Sequence, residues 1–368
     1  MHLEENMKII LLYGGQSAEH DISVISAHNI AQQIMYNYYD VQPIFIRRDG
    51  VWIKGAPLTE APSTSGELIL EAAEIAQWSQ KADTASTGIV IQPGSIYEED
   101  TIVFPALHGP NGEDGTIQGF LEVLNMPYVG AGVTASAAGM DKTISKYIFS
   151  QVGIPQVPFE AFDRQAWLNS KDELIKKCEG SLLYPMFVKP ANMGSSVGIS
   201  KVENVEELAN AVELALKYDF RIVVEQGINA DEVEVAILGN ADAHVSVVGK
   251  LVKEQSFYDY DNKYLNNSVS MQIPAELPEA VAEKIQEYAL LAYRAIDGRG
   301  LSRCDFFVTA NNDIYINEIN TMPGFTPYSM YPVLWQGTGL GTRDLVEELI
   351  QLGLRHFEAK KALTADRF

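Results

Sequence analysis

DFFVTANNDIYINEINTMPGFTPYS, residues 305–329, holds two short runs of alternating residues, FFVT and IYIN, separated by Ala310-Asn311-Asn312-Asp313. Asn and Asp tolerate the backbone reversal of a tight turn, so the spacing predicts a β-hairpin. On its second strand Glu318 and Asn320 are two apart and share one face, and Asp305 on the first strand can join them across the pair. Three oxygen donors, only two of them charged, suit Mg2+, which takes few protein ligands and fills its shell with water and phosphate oxygens. A half-buried hairpin whose acids face water fits the same pattern. The residues beyond the strand favour the metal: Met322-Pro323-Gly324 turns the chain after Asn320, and Thr326, Tyr328 and Ser329 then offer hydroxyls near it.

The rest of the chain sets limits. Its 368 residues accommodate two or three domains. With 46% hydrophobic residues and no apolar run near the length of a membrane span, it reads as a soluble globular protein. The polar, acidic start MHLEENMK lacks the pattern of a signal peptide, so the cytoplasm is the expected compartment. Cys178 and Cys304 show no metal-type spacing and are expected to be buried thiols. A net charge of -22 argues against nucleic acid or an anionic membrane as partner. Any phosphate-bearing ligand must then be held by local cations, for which Lys142, Lys189, Lys263 and Arg303 are the candidates.

Along the chain, KIILLY at 8–13, a Gly14-Gly15 turn and a helix over 19–36 open an α/β domain. A helix over 68–77, strands at 51–54, 88–92 and 100–107, a helix over 115–124 and a last strand at 128–130 are expected to complete it. A helix over 141–153 leads to a second unit, with strands at 186–189, 198–202 and 221–225 and a helix over 205–218 capped by Asn204. Strands at 232–238 and 244–252, a helix over 279–296 and the hairpin form a third. The loop PANMGSSV between Lys189 and Gly198 is built like a lid for phosphates: Gly194 allows close approach, and Ser195 and Ser196 add donors. It is not a Walker loop. FYDYDNKY at 257–264 is aromatic and polar, a composition suited to a second lid. Glu19 and His20 stand just past a glycine turn at a strand end, where open α/β sheets present ligands.

NEINTMPGFTPYS resembles the metal strand of the ATP-grasp ligases, and in detail that of the D-alanine:D-alanine ligase family. YGGQSAEHDIS at 13–23, LHGPNGEDG at 107–115, FVKPANMGSSVGISKV at 187–202 and FYDYDNKY agree with that family in order and spacing. The resemblance implies a three-domain ATP-grasp fold, α/β and α+β: an N-terminal substrate domain (1–137), a central subdomain with the phosphate loop (138–229) and a C-terminal subdomain with metal site and lid (230–368). It implies ATP with Mg2+ or Mn2+, two ions, on Asp305, Glu318 and Asn320. Lys142, Lys189 and Lys263 would meet the phosphates beneath Ser195 and Ser196, Glu225 the adenine amino group and Glu232 the ribose. Glu19 would hold the first D-alanine's ammonium in a trio with Ser195 and Tyr264, with His108 and Tyr258 nearby. Arg303 would serve the tetrahedral intermediate, and Gly324, Ser329 and Met330 the second substrate. His20 is read as structural. A homodimer is implied as well.

A carboxylate is a poor electrophile, so ATP would convert it to an acyl phosphate that a second amine attacks. Both steps build negative charge that the metal, Lys189, Lys263 and Arg303 would neutralise. By the same resemblance Tyr264 favours the dipeptide over a D-alanine:D-lactate product. The D-alanine:D-lactate and D-alanine:D-serine specificities are the nearest alternatives. Another ATP-grasp carboxylate-amine ligase should lack the SAEHDIS and HGxxGEDG blocks, and a silent nucleotide-binding protein should lack a metal ligand or phosphate lysine.

Overall fold

A computed structural model describes residues 6–72, 86–252 and 270–363. They form three sheets in succession along the chain. The first contains β1 (Met7–Gly14), β2 (Tyr39–Ile46), β3 (Trp52–Lys54), β4 (Leu70–Ala72), β5 (Ser86–Ile91) and β6 (Thr101–Ala106), in the order β4-β5-β3-β2-β1-β6. β1 is parallel to both neighbours, with Leu12 opposite Ile44 on β2 and Pro105 on β6. Helix α1 (His20–Ala31) crosses between β1 and β2 and packs on the sheet through Val24, Ala27 and Ile30. α2 (Thr116–Val123) and α3 (Val133–Met140) follow β6. Because β2 and β6 flank β1 on opposite sides, the chain leaves β1 and β6 in opposite directions and opens a crevice at their carboxyl ends.

Two expectations for this domain fail. In place of a helix over 68–77 there is a 3-10 turn, Ser65–Leu68, and then β4, while residues 73–77 lie outside the described region. Thr64 and Glu67 close a capping box on that one turn. Leu68, Leu70 and Ala72 are then buried while Ile69 is exposed, the period of two that a strand requires. The expected strand at 128–130 is reduced to one bridge from Tyr128 to Val103.

α4 (Lys142–Gln151) begins at Asp141, whose side chain accepts from the Thr143 and Ile144 N–H groups. β7 (Phe159–Asp163), α5 (Arg164–Ser181), β8 (Met186–Pro190), β9 (Ser200–Val202), α6 (Val205–Ala215) and β10 (Arg221–Gln226) make the second unit, an antiparallel sheet of order β7-β10-β8-β9. Its core gathers Val188, Ile222 and Val224 against Trp167, Leu208 and Val212. Asn204 caps α6 as expected, accepting from the Glu207 N–H.

The third sheet contains β11 (Ala230–Gly239), β12 (His244–Val252), β13 (Ser270–Gln272), β14 (Gly300–Thr309) and β15 (Ile314–Asn320), in the antiparallel order β13-β12-β11-β14-β15. Alternation divides its faces. Val233, Val235, Cys304, Phe306 and Ile316 pack with α7 (Glu279–Ala295), leaving Glu232, Glu234, Arg303, Asp305 and Glu318 on the other side. Cys178 and Cys304 are both buried and unpaired with each other. α8 (Met330–Thr338) and α9 (Thr342–Lys361) close the chain and join the core of the first sheet through Tyr331, Leu334, Leu345 and Leu349. No helix among the described residues is long and apolar enough to cross a membrane.

Candidate active site

A cleft of about 250 Å3 lies between the second and third sheets, walled by Lys142, Lys189, Ser195, Glu225, Glu232 and Glu318 among others. Lys189 is opposite Val223 and Phe187 opposite Glu225, so Lys189 and Glu225 are diagonal neighbours on one face. The Lys189 ammonium is 2.7 Å from one Glu225 oxygen, and Lys146, one turn after Lys142 on α4, is 3.0 Å from the other. Burial works against the Glu225 charge, yet the two ammoniums more than offset it and hold the carboxyl down at about 2. Burial also opposes the charge on Lys189, and Glu225 overcomes it, leaving Lys189 above its ordinary value. On Lys146 burial prevails and lowers it. Lys142 donates to the Met193 carbonyl at 2.8 Å and lies 3.4 Å from Glu318. Two of the three lysines expected on the phosphates, Lys142 and Lys189, therefore line one cleft.

The expected metal ligands share a face. Asp305 is opposite Glu318 and Arg303 opposite Asn320 on β14 and β15, with Glu234 opposite Asp305 on the other flank. A bulge after Asp305 leaves Asn317 as an extra residue, so Asn317 and Glu318 both reach the cleft. Asp305 accepts two 2.7 Å hydrogen bonds from Arg303, which also pairs with Glu234 at 2.7 Å. The Asn320 oxygen accepts from the Met322 N–H at 3.0 Å. Burial raises Asp305 above its ordinary value; Arg303 opposes this, and Glu318 and Glu232 add to it. Acidic groups crowded on one buried face fit a hard divalent cation. Among the described residues no three His, Cys, Asp or Glu side chains are placed to hold an ion by themselves. The donor set fits an ion that depends on the carboxamide, water and phosphate oxygens for the rest of its shell.

At the crevice of the first sheet Glu19 is 7% exposed and accepts a hydrogen bond from Ser195, which arrives on the loop after β8. Ser195 and Ser196 hold φ of 48° and 60°, sparsely populated for side-chain-bearing residues. Two glycines make the approach possible: a Cβ at Gly109 would lie 2.8 Å, and at Gly194 2.9 Å, from a Glu19 oxygen. His108 is buried, with Nδ1 3.2 Å from the Met322 carbonyl and 3.4 Å from Glu113, and Nε2 2.9 Å from the Ser26 hydroxyl. Burial disfavours the charged ring, but Glu113 and Glu19 outweigh it and raise His108 above the ordinary histidine value. Ser26 also accepts from the Phe325 N–H at 3.2 Å, and Asn29 donates to the Phe325 carbonyl at 2.8 Å. α1 thereby pins the loop that follows the metal strand. Ser329, at the start of α8, exchanges hydrogen bonds with Thr326, and a Cβ on Gly324 would lie 2.9 Å from its hydroxyl. Tyr328, expected near the metal, is 71% exposed. His20 bonds the Gly15 carbonyl through Nδ1 and sets its ring edge against Phe45, a packing role.

Tyr258, Lys263 and Tyr264 lie outside the described residues. Lys146, Asn317, Ser26 and Asn29 were not singled out in the sequence. Only Lys146 had a usable signal there, its i+4 spacing from Lys142 on an amphipathic helix.

A cleft between two antiparallel sheets, with two lysines on one wall and a carboxylate-carboxamide strand on the other, fits the ATP-grasp class. A family model described as D-ala D-ala ligase N-terminus matches residues 8–131, and one described as D-ala D-ala ligase C-terminus matches residues 148–351. The chain belongs to the D-alanine–D-alanine ligase family and is an enzyme of the ADP-forming ligase class. It is 58% identical over 357 residues to the D-alanine--D-alanine ligase of Enterococcus hirae, covering 96% of this chain and 98% of that one. With the enzyme of that name from Lactococcus lactis subsp. cremoris SK11 it shares 46% over 355 residues, covering 96% and 97%. Among solved structures it resembles the D-alanine-D-alanine ligase from Coxiella burnetii (TM-score 0.78, 33% identity, 97% of this chain and 96% of that one). It also resembles the VanG D-Ala:D-Ser ligase from Enterococcus faecalis (TM-score 0.79, 34% identity, 95% and 100%).

Proposed function

We propose that the chain joins two D-alanine molecules into D-alanyl-D-alanine, with ATP converted to ADP and phosphate, as a step in making peptidoglycan precursors. The observation that carries this is the meeting of Glu19 with Ser195 between Gly109 and Gly194. It brings a carboxylate suited to a small ammonium to the lip of the nucleotide cleft. Glu19 holds the ammonium of the first amino acid, with Ser195 and Tyr264 completing the trio and His108 and Tyr258 nearby. The carboxylate oxygen of that amino acid attacks the γ-phosphorus and ADP leaves. The amine of the second then attacks the acyl carbonyl, loses a proton, and phosphate departs.

Lys142 and Lys189, with Lys263, bind the phosphates under the Ser195–Ser196 loop. Glu225 receives the adenine amino group and Glu232 the ribose. Asp305, Glu318 and Asn320 hold Mg2+ or Mn2+, two ions, which supply charge neutralisation on the phosphoryl oxygens. Arg303 stabilises the oxygen of the tetrahedral intermediate. Gly324, Ser329 and the backbone near Met330 take the second carboxylate. The domain borders at 137/138 and 229/230, a homodimer and a cytoplasmic location belong to the same reading. Its test is product analysis with D-alanine, D-lactate and D-serine offered together with ATP and Mg2+. Dipeptide of D-alanine should dominate at neutral pH, and a predominance of D-lactate ester or D-Ala-D-Ser would overturn the substrate assignment.

A further inference from the structure

Lys146 is 1% exposed and is not among the residues that line the cleft. Its ammonium sits behind Glu225 at 3.0 Å, and 5.1 Å above the ring of Phe159. Glu225 faces Lys189 with its other oxygen at 2.7 Å. A buried lysine is costly to keep unless it answers a charge. Here one carboxylate meets two ammoniums, and the group of three carries one net positive charge. Without Lys146, the charge of Lys189 would be matched by Glu225 alone, in a chain whose overall charge is -22. We propose that Lys146 is a positioning residue that occupies Glu225 from behind, so that the charge of Lys189 stays available to nucleotide phosphates.

The proposal rests on the reading of this cleft as the nucleotide site, and it makes the effect of Lys146 depend on phosphate rather than on adenine. Binding of ATP, ADP and adenosine would be measured by calorimetry for the whole protein and for Lys146→Met, with folding checked by thermal unfolding. ATP affinity should fall at least about tenfold, ADP less, and adenosine by less than about twofold. In Lys146→Met/Glu225→Gln, where the charge is rebalanced, ATP affinity should return most of the way. Equal weakening of ATP and adenosine, unchanged ATP binding, or a double variant as weak as the single one would overturn it. Should Lys146→Met not fold, Glu225→Gln alone decides: the ratio of ATP to adenosine affinity must rise, and an unchanged ratio refutes the proposal. Absence of ATP binding to the unaltered protein would instead remove the nucleotide-site reading, and this inference with it.

Discussion

Glu225 has its folded-state carboxyl at about 2, below the ordinary carboxylate range, because two ammoniums face it. Its contribution to folding is therefore complete above the unfolded value and disappears as pH falls from the usual carboxylate range through about 2. A shift of this size corresponds to roughly 3 kcal/mol. Denaturant unfolding of the protein and of Glu225→Gln at several pH values should show a stability difference that shrinks toward pH 2, and a constant difference would contradict the pairing. Glu318 and Asn320 make a sharper prediction. Glu318→Ala or Asn320→Ala should cut D-alanine-dependent phosphate release at least about a hundredfold while the unfolding midpoint stays near that of the unaltered protein. Near-normal turnover in a folded variant would remove the metal assignment.

The loop between β8 and β9 joins the lysine-lined cleft to Glu19. Its Gly and Ser content predicts a cover for phosphates; in the structure its Met193 carbonyl accepts from Lys142 and its Ser195 donates to Glu19. Two consecutive serines in the left-handed region store strain that a bound ligand can stabilise or release. Hydrogen exchange on residues 193–197 should slow when ATP and D-alanine bind, and equal rates with and without them would argue against a lid. Gly194→Ala would press a methyl on the Glu19 carboxylate and should raise KM for D-alanine severalfold, read from initial rates. Elements that the sequence misplaced fail for local reasons. A hydrophobic count at 68–77 looks helical, but the alternation of Leu68, Leu70 and Ala72 is the stronger signal once β5 is there to pair with it.

Across the whole molecule, the hairpin of Asp305 and Glu318, the glycine turn before Glu19 and the cap at Asn204 were legible because each is a local pattern with a physical cause. Contacts between distant segments were not. Ser26 and Asn29 read as ordinary helix residues, and their bonds to the Phe325 backbone span nearly three hundred residues, beyond the reach of periodicity or spacing. The same holds for the place of Lys146 behind Glu225. Asn29→Leu keeps the side-chain size but removes the donor, and it should lower stability by about 1 kcal/mol while raising exchange at the amides of Met322 and of 324–326. Unaltered exchange there would show that α1 does not hold the loop.

The pinning of Phe325 by α1 has a further consequence for traffic through the enzyme. The crevice beside Glu19 has its floor on the first sheet and its rear wall on the loop after β15, and side chains of Ser26, Asn29 and His108 rivet the two together. The roof over the lysine-lined cleft comes from another sheet and rests on that crevice through the hydroxyl of Ser195. The two attachments are independent: parting Ser195 from Glu19 would free the roof, while the bonds from α1 to Phe325 would still hold the floor and the rear wall together.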